Sequence, residues 1–153
     1  MNDHATPPQP SIPYRANQFS INLYEGWEDK TIFIISGPVS GGVQHNITIN
    51  PDPGVQTNNL LDYADVQVLS LEAELKSCRI LKREMIQLNS GMPAYRVIFR
   101  WYPTDELRVY QEQIYVLHEK NGYKLTATFT RKTRKTLGPQ VERMMLSFEP
   151  KTM

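Results

Sequence analysis

The sequence predicts an α+β fold: a single twisted antiparallel sheet of about six or seven strands with two main helices. Two observations support this prediction. Several short segments alternate apolar and polar residues and end in turns rich in glycine, proline or asparagine, which is typical of antiparallel strands. Two longer segments instead repeat apolar residues at helical spacing, one between groups of strands and one at the C-terminal end.

The first half contains three predicted strands and one helix. "NQFSINLYEGW" alternates apolar and polar residues, and "TIFIIS" and "VQHNITIN" form a hairpin around the loop "GPVSGG" before the breaker "PDPG". "NNLLDYADVQVLSLEAELKS" is predicted to be a helix with Asn58 or Asn59 as its N-cap. Its apolar residues at 3.6-residue spacing are Leu61, Ala64, Val68, Leu71 and Leu75.

The second half is mostly strand. "RILKREMIQL", "AYRVIFRWY", "LRVYQEQIYVLHE" and "YKLTATFTR" follow one another with short turns, of which "KNG" is the last, so their pairing should be antiparallel. "GPQVERMMLSF" predicts a final helix with Pro139 in its first turn. We expect Phe99, Trp101, Leu125 and Phe129 to pack against the first helix, with helices on one face of the sheet only.

Composition sets limits on the class of protein. The 153 residues carry a formal charge of +1, which gives no footprint for nucleic acid. The single cysteine, Cys78, allows no internal disulfide. No secretion signal and no apolar run of about 18 residues is visible, so we expect a cytoplasmic protein. Residues 1–13 contain four prolines and are predicted to form a disordered arm, and residues 14–153 to form one domain.

Residues that could support catalysis or metal binding show no convincing pattern. His4, His45 and His118 lack metal-ligand spacing with one another, with Cys78 or with a carboxylate. A free cysteine is commonly a small buried hydrophobe. "SGPVSGG" lies between two strands, whereas a phosphate-binding loop leads into a helix. We therefore predict no catalytic residues, no cofactor and no metal site.

Three charged or polar motifs have ordinary interpretations that we favour. Glu25, Glu28 and Asp29 share one turn and are expected to be solvated rather than to act in acid–base chemistry. The basic run "RKTRK", residues 131–135, could meet an anionic partner, but we interpret it as a solvated connection. "NIT" at Asn46 fits a glycosylation sequon and carries no weight without a secretion signal.

The strand residues on the side opposite the predicted core have a mixed character. They include Ile98, Gln113 and several threonines rather than the Lys and Glu of a fully solvated sheet. "TIFII" is apolar on both faces. Apolar patches rimmed by polar groups mark interaction sites, although loops could also cover these residues. The pattern therefore favours a partner-binding face.

The order of motifs resembles a known family. "GWEDKTIFII", "NITINPDPG", "LLDYADVQVLSLEAEL", "YQEQIYVLHEKNGYKLTATF" and "MMLSF" follow one another between about residues 14 and 149. This order is similar to that of the DcrB-related family, whose small α+β fold is shared by Mog and PsbP proteins. Within it, the chain most resembles the Eag-type chaperones of bacterial type VI secretion, although its proline-rich extension is longer.

This resemblance implies a non-enzymatic function. Eag-type chaperones bind the N-terminal region of a secreted effector, often of the PAAR or Rhs type, and shield its transmembrane segments before export. The positions that match their binding face are Ile32, Ile34, Ile47, Gln67 and Gln113. Ile32 and Ile34 would then contact the client, and Phe33 and Ile35 the core. The alternatives are a generic protein-interaction module of the same fold and a small-ligand-binding protein.

The resemblance and the geometry of the client both predict a homodimer. A membrane-spanning helix has about 20 residues and a length of about 30 Å, and it is apolar around its whole circumference. One sheet face covers only one side of such a helix. Two copies facing each other would enclose it, and a symmetric pair is the commonest soluble assembly.

Overall fold

The computed structural model describes residues 12–15, 19–40 and 42–151. The chain divides into two units, Met1–Lys30 and Thr31–Met153. In the first unit, β1 (Ile12–Arg15) and β2 (Ser20–Leu23) pair as antiparallel strands. Of the predicted disordered arm, residues 1–11 lie outside the described residues, and the last two positions belong to β1.

The second unit contains one six-stranded antiparallel sheet with the strand order β3-β4-β8-β7-β6-β5. The α+β fold with one main antiparallel sheet is therefore confirmed. Its elements in chain order are β3 (Phe33–Ser40), β4 (Val43–Pro53), α1 (Leu60–Glu74), β5 (Arg79–Gln87), β6 (Pro93–Thr104), β7 (Leu107–His118), β8 (Asn121–Phe129), α2 (Arg131–Thr136) and α3 (Gly138–Leu146).

Helix α1 begins where the sequence predicts. Asn59 is the N-cap, and its side chain accepts a hydrogen bond from the backbone N–H of Asp62 at 3.0 Å. The buried side of the helix carries Tyr63, Ala64 and Val68. Leu61 was expected on this side but is exposed, because the helix is apolar on more than one side and periodicity alone does not fix its rotation.

Helix α2 was not predicted, since "RKTRK" was interpreted as a solvated connection between the last strand and the final helix. A capping box explains why this helix forms. The Thr130 hydroxyl accepts a hydrogen bond from the backbone N–H of Thr133, and the Thr133 hydroxyl accepts one from the backbone N–H of Thr130. Thr133 is buried and the four basic residues of the run are exposed. The charged side chains are therefore solvated, as expected, but on a helix.

Strand β4 continues through the predicted breaker "PDPG". Pro51 and Pro53 pair with Tyr123 and Asn121 of β8, and they lie beyond the end of β3, whose last partner in this direction is Ile49. A proline is tolerated in a sheet where no neighbouring strand requires its missing N–H. Here one side of β4 is open, so the strand extends through both prolines.

Helices cover both faces of the sheet, which corrects the prediction of helices on one face only. Helix α1 packs on the face that we call the α1 face, where Val97 and Phe99 are fully buried. Helix α3 packs on the opposite face, which we call the α3 face, where Met145 joins Leu125 and Phe129. Phe99 and Trp101 therefore lie under α1 as predicted, whereas Leu125 and Phe129 do not.

The turn between β7 and β8 also differs from the prediction. "KNG" was expected to form it, but the strands end at His118 and begin again at Asn121, and the turn residues Glu119 and Lys120 both have positive φ. Gly122 instead lies in β8, where a Cβ would overlap the ring of Tyr63. This glycine is therefore needed for close contact between α1 and the sheet.

Candidate functional site: an open sheet surface beside the first helix

Helix α1 covers only part of its sheet face. Its main contacts are with β6 and β7, and Tyr63 near its N-terminal end also reaches Gly122 of β8 and Asp52 of β4. The rest of β8, β4 and β3 continues the same face beyond the helix. We call this part of the α1 face the trough. Three strands at a spacing of about 4.8 Å give it a width of about 14 Å, which exceeds the 10–12 Å diameter of a helix with its side chains.

The outer wall of the trough is aliphatic. Ile34 on β3 pairs with Thr48 of β4 and has 63% of its surface exposed. Ile32, two positions earlier, is 52% exposed. Both side chains are much more exposed than is usual for isoleucine, which is among the residues most often buried.

The floor of the trough is polar but weakly charged. Thr48, Thr126 and Thr128 are half-buried on β4 and β8. A chain of hydrogen bonds crosses the sheet into it: Trp101 Nε1 donates to Gln111 Oε1 at 2.7 Å, and Gln111 Nε2 donates to Thr128 Oγ1 at 2.9 Å. These hydrogen bonds hold the side chains of Gln111 and Thr128 in position.

The structure brings Gln67 and Gln113 together. Both line a cavity of about 300 Å³ between α1 and the sheet, together with Leu71, Leu75 and Lys124. Gln113 is only 5% exposed, and its Oε1 accepts a hydrogen bond from the Tyr115 hydroxyl at 2.5 Å. Its amide oxygen is therefore used inside the protein, whereas Gln67 remains half-buried at the helix surface.

Two of the predicted site residues lie on the other face of the sheet. Ile47 pairs with Ala127, is 5% exposed and belongs to the core under α3. Ile98 pairs with Glu112 and lines a polar cavity on the α3 face. Strict alternation along the strands places both residues on the face opposite Ile34. Gln67 and Gln113 meet at the cavity beside α1. Ile34 lies on β3, which β4 and β8 separate from the strand of Gln113.

Phe33 and Ile35 are not core residues, contrary to the prediction. They point toward the α3 face, but they are 49% and 48% exposed, because β3 is an edge strand. Ile35 lines a largely apolar cavity of about 210 Å³ together with Ile47, Phe129, Leu137, Val141 and Met144. Both sides of β3 are thus accessible apolar surface.

A buried charged cluster on the α3 face was missed by sequence reasoning. The Arg96 guanidinium forms ion pairs with Glu84, Glu112 and Glu142, which come from β5, β7 and α3. Burial raises the pKa of Glu112. The hydrogen bond that Glu84 accepts from Arg96 lowers the pKa of Glu84. No local pattern connects these four residues, since they are brought together only by strand pairing and helix docking.

The residues considered for catalysis have structural contacts. His45 is buried, with Nε2 2.8 Å from the Thr133 hydroxyl, and His118 Nε2 lies 3.4 Å from Glu119. The pKa of the Cys78 thiol is raised by burial and by Glu72. Residues 12–15, 19–40 and 42–151 contain no cluster of three or more His, Cys, Asp or Glu side chains that could hold a metal ion, and His4 lies outside them.

The acidic turn and the glycosylation sequon have ordinary surroundings in the structure. Glu25, Glu28 and Asp29 are exposed, and Glu28 pairs with Lys30 at 2.9 Å. Asn46 is half-buried in β4. Within the described part of the chain, no helix is long and apolar enough to cross a lipid bilayer.

Comparison with solved structures supports the predicted fold. A protein of unknown function, PA94 from Pseudomonas aeruginosa, superimposes with a TM-score of 0.76 at 20% identity, covering 94% of this chain and 99% of its own. Cyanobacterial PsbP (CyanoP) from Synechocystis sp. PCC 6803 gives a TM-score of 0.57 at 12% identity, with 99% and 98% covered. The PsbP-like fold is therefore confirmed.

Sequence comparison defines the family. No curated protein matches the chain. The sequence profile of the DcrB family matches residues 19–147, which is most of the chain and includes every residue of the trough. The protein belongs to the DcrB family.

Proposed function

We propose that this protein is a cytoplasmic, non-catalytic chaperone that binds the apolar transmembrane segments of a secreted effector of the PAAR or Rhs type before export. The observation that carries the proposal is the exposure of Ile32 and Ile34 beside a trough wide enough for one helix. The resemblance to Eag-type chaperones of type VI secretion supports the same function.

The chemistry of the trough suits an apolar helix of varied sequence. Covering apolar surface stabilises a complex by roughly 25 cal/mol per Å², and aliphatic side chains supply this without demanding one sequence. Membrane helices also carry small and polar residues at their contacts. Gln67 and the threonines of the floor offer donors and acceptors to such groups.

A homodimer is part of this proposal. The trough contacts one side of a helix, and the opposite side of the client would remain in water. A second copy would cover that side. The apolar edge strand β3 supports such an arrangement, because a partner that pairs with or packs on it would remove Phe33 and Ile35 from water.

Coexpression with the N-terminal region of an effector encoded next to this protein tests the proposal. Wild-type protein should keep that region in solution and copurify with it, whereas Ile34→Gln should lose both effects while remaining folded. Leu69→Gln is the matched control, because Leu69 is equally exposed on α1 but was not assigned to the site. Equal client recovery with Ile34→Gln and wild type would contradict the proposal.

A second candidate is a small-ligand-binding protein. The apolar cavity of about 210 Å³ on the α3 face favours it, because a cavity of about 150 Å³ lined by similar residues can hold a benzene-sized molecule. Native mass spectrometry of the purified protein distinguishes the two candidates. A copurified apolar compound released by Val141→Trp, with client binding absent, would support the second.

A further inference from the structure

Four arginines that are distant in sequence converge on the α3 face. Arg79 of β5 lies directly opposite Arg100 of β6, which in turn lies opposite Tyr110 of β7. The guanidinium carbons of Arg108 and Arg134 lie 5.5 and 5.2 Å from the centroid of the Tyr110 ring. Strand pairing and the docking of α2 thus place four arginines on one region of the α3 face, two of them over the Tyr110 ring.

The four arginines have no close ion-pair partner among the described residues. None of the four arginines forms an ion pair with a described carboxylate, and the nearby Glu84, Glu112 and Glu142 are paired with Arg96. Arg134 acts on Glu112 only at longer range, where it opposes the effect of burial on the pKa of that carboxyl. Like charges directly opposite on one sheet face destabilise it, so the pair Arg79–Arg100 costs free energy that a bound anion would offset.

The arrangement also fits a particular anion. A guanidinium presents a planar fork of N–H donors that matches carboxylate or phosphate oxygens, and stacking on an aromatic ring fixes its orientation. Tyr110 is buried and holds two of the four guanidiniums. Several guanidinium groups on one patch suit a phosphate, which has more oxygens and more charge than a carboxylate.

We propose that Arg79, Arg100, Arg108 and Arg134 form a binding site for a single phosphate group, carried by a soluble phosphoester or by an anionic lipid headgroup. Two of the arginines share the Tyr110 ring and the other two face each other on the adjacent strands, so the cluster is a compact patch rather than a long track of charges. Nucleic acid binding instead relies on many phosphate contacts along a strand. This site is separate from the trough, which lies on the opposite face, and does not depend on the chaperone function.

Titration with inorganic phosphate at pH 7.5, with chloride used to match ionic strength, tests the site. Arg100→Gln and Arg134→Gln should each weaken binding at least about tenfold, as expected for the loss of charge-assisted hydrogen bonds. Lys132→Gln is the matched control, since Lys132 is an exposed cation on the same helix as Arg134, and its affinity should change less than about twofold.

Thermal unfolding adds a readout that a merely structural role would not give. Without phosphate, Arg100→Gln should unfold at a higher temperature than wild type, because the repulsion from Arg79 is relieved. Phosphate should raise the unfolding temperature of wild type but not of this variant, since a ligand stabilises only the protein that binds it. Equal phosphate effects on wild type, Arg100→Gln and Lys132→Gln, or none on wild type, would overturn the proposal.

Two further arms identify the source of the phosphate. The wild-type protein could sediment with phosphatidylcholine vesicles that contain phosphatidic acid but not with phosphatidylcholine vesicles alone. If Arg100→Gln abolishes this sedimentation, the result would support the site with a lipid headgroup as its ligand. Phosphate binding without vesicle binding would support a soluble phosphoester. Tight binding of a single-stranded oligonucleotide, with a salt dependence equivalent to several phosphates, would overturn the assignment to a single group.

Discussion

The two edge strands of the sheet, β3 and β5, are equally open in topology but differ in chemistry. Residues 33–40 of β3 contain no charged side chain, and Phe33, Ile34 and Ile35 are all largely exposed. Strand β5 carries four charged residues. Arg83 pairs with Asp65 at 2.7 Å and donates to the Tyr95 hydroxyl at 3.0 Å, and Glu84 pairs with Arg96.

This difference shows which edge is available to a partner. Charged residues on an edge strand prevent pairing with other chains, and an exposed apolar edge promotes it. Strand β5 therefore ends the sheet, whereas β3 retains the surface that another polypeptide would cover. The proposed client surface and the proposed dimer both involve β3 for this reason.

The largest effect on stability is expected on the β5 side of the sheet. Arg96→Met should lower the free energy of unfolding by about 3–5 kcal/mol, because it removes the cation shared by three carboxylates, of which Glu112 is the most buried and only Glu84 has a second cation, Lys82. Urea unfolding measures this loss. Arg83→Met is the matched control at a more exposed ion pair, and it should cost no more than about 1 kcal/mol. Similar losses in the two variants would contradict the interpretation that the ion pairs of Arg96 contribute more to stability than an exposed ion pair does.

A smaller effect on stability, but a clear one on assembly, is expected on β3. Phe33→Lys should change the free energy of unfolding by no more than about 0.5 kcal/mol, as for most surface substitutions. It should convert the proposed dimer into a monomer, as measured by light scattering. Met85→Lys places the same charge on an exposed position of β5 and should leave the dimer intact. A monomeric wild-type protein, both alone and with its client, would exclude the dimer.

The smallest effect concerns the pH dependence of stability near β5. Because burial raises the pKa of Glu112, its contribution is present below the ordinary glutamate pKa of about 4.3 and is lost as pH rises through the folded value. Glu112→Gln should therefore gain stability relative to wild type as pH increases. Urea midpoints measured across acidic and neutral pH test this.

Glu84 provides the control of opposite sign. The Arg96 guanidinium lowers its pKa, so its contribution is present above the ordinary value and is lost as pH falls through the folded value. Glu84→Gln should lose stability relative to wild type at neutral pH and approach it in acid. The same pH trend in both variants would show that burial does not dominate at Glu112.

Part of the candidate site follows from sequence alone. The alternation of "TIFII" places Ile34 on one face and Phe33 and Ile35 on the other, as the structure shows. The same alternation could not tell whether either face is covered, since covering depends on where helices dock. The family resemblance assigned Phe33 and Ile35 to the core, whereas the position of β3 at the edge exposes them.

Long-range clusters were beyond sequence reasoning. The group around Arg96 joins three strands and α3, and the group around Tyr110 joins three strands and α2. Neither has a spacing that recurs along the chain. The only local signal was the basic run "RKTRK", which predicts a charged surface but not the aromatic ring that organises it.

The sequence by itself determined the order of strands and helices apart from β1 and α2, because hydrophobic period and capping residues such as Asn59 act over a few positions. Only the tertiary structure decided where the last hairpin turns. "NG" is the strongest local turn signal, yet Glu119 and Lys120 make the turn at a cost of about 1–2 kcal/mol each for their left-handed backbone. Gly122 is required in β8 because the Tyr63 ring of α1 lies directly over it. The packing of α1 on the sheet therefore overrides the preference of "NG" for the turn, because the Tyr63 ring can lie this close to β8 only where the strand carries a glycine.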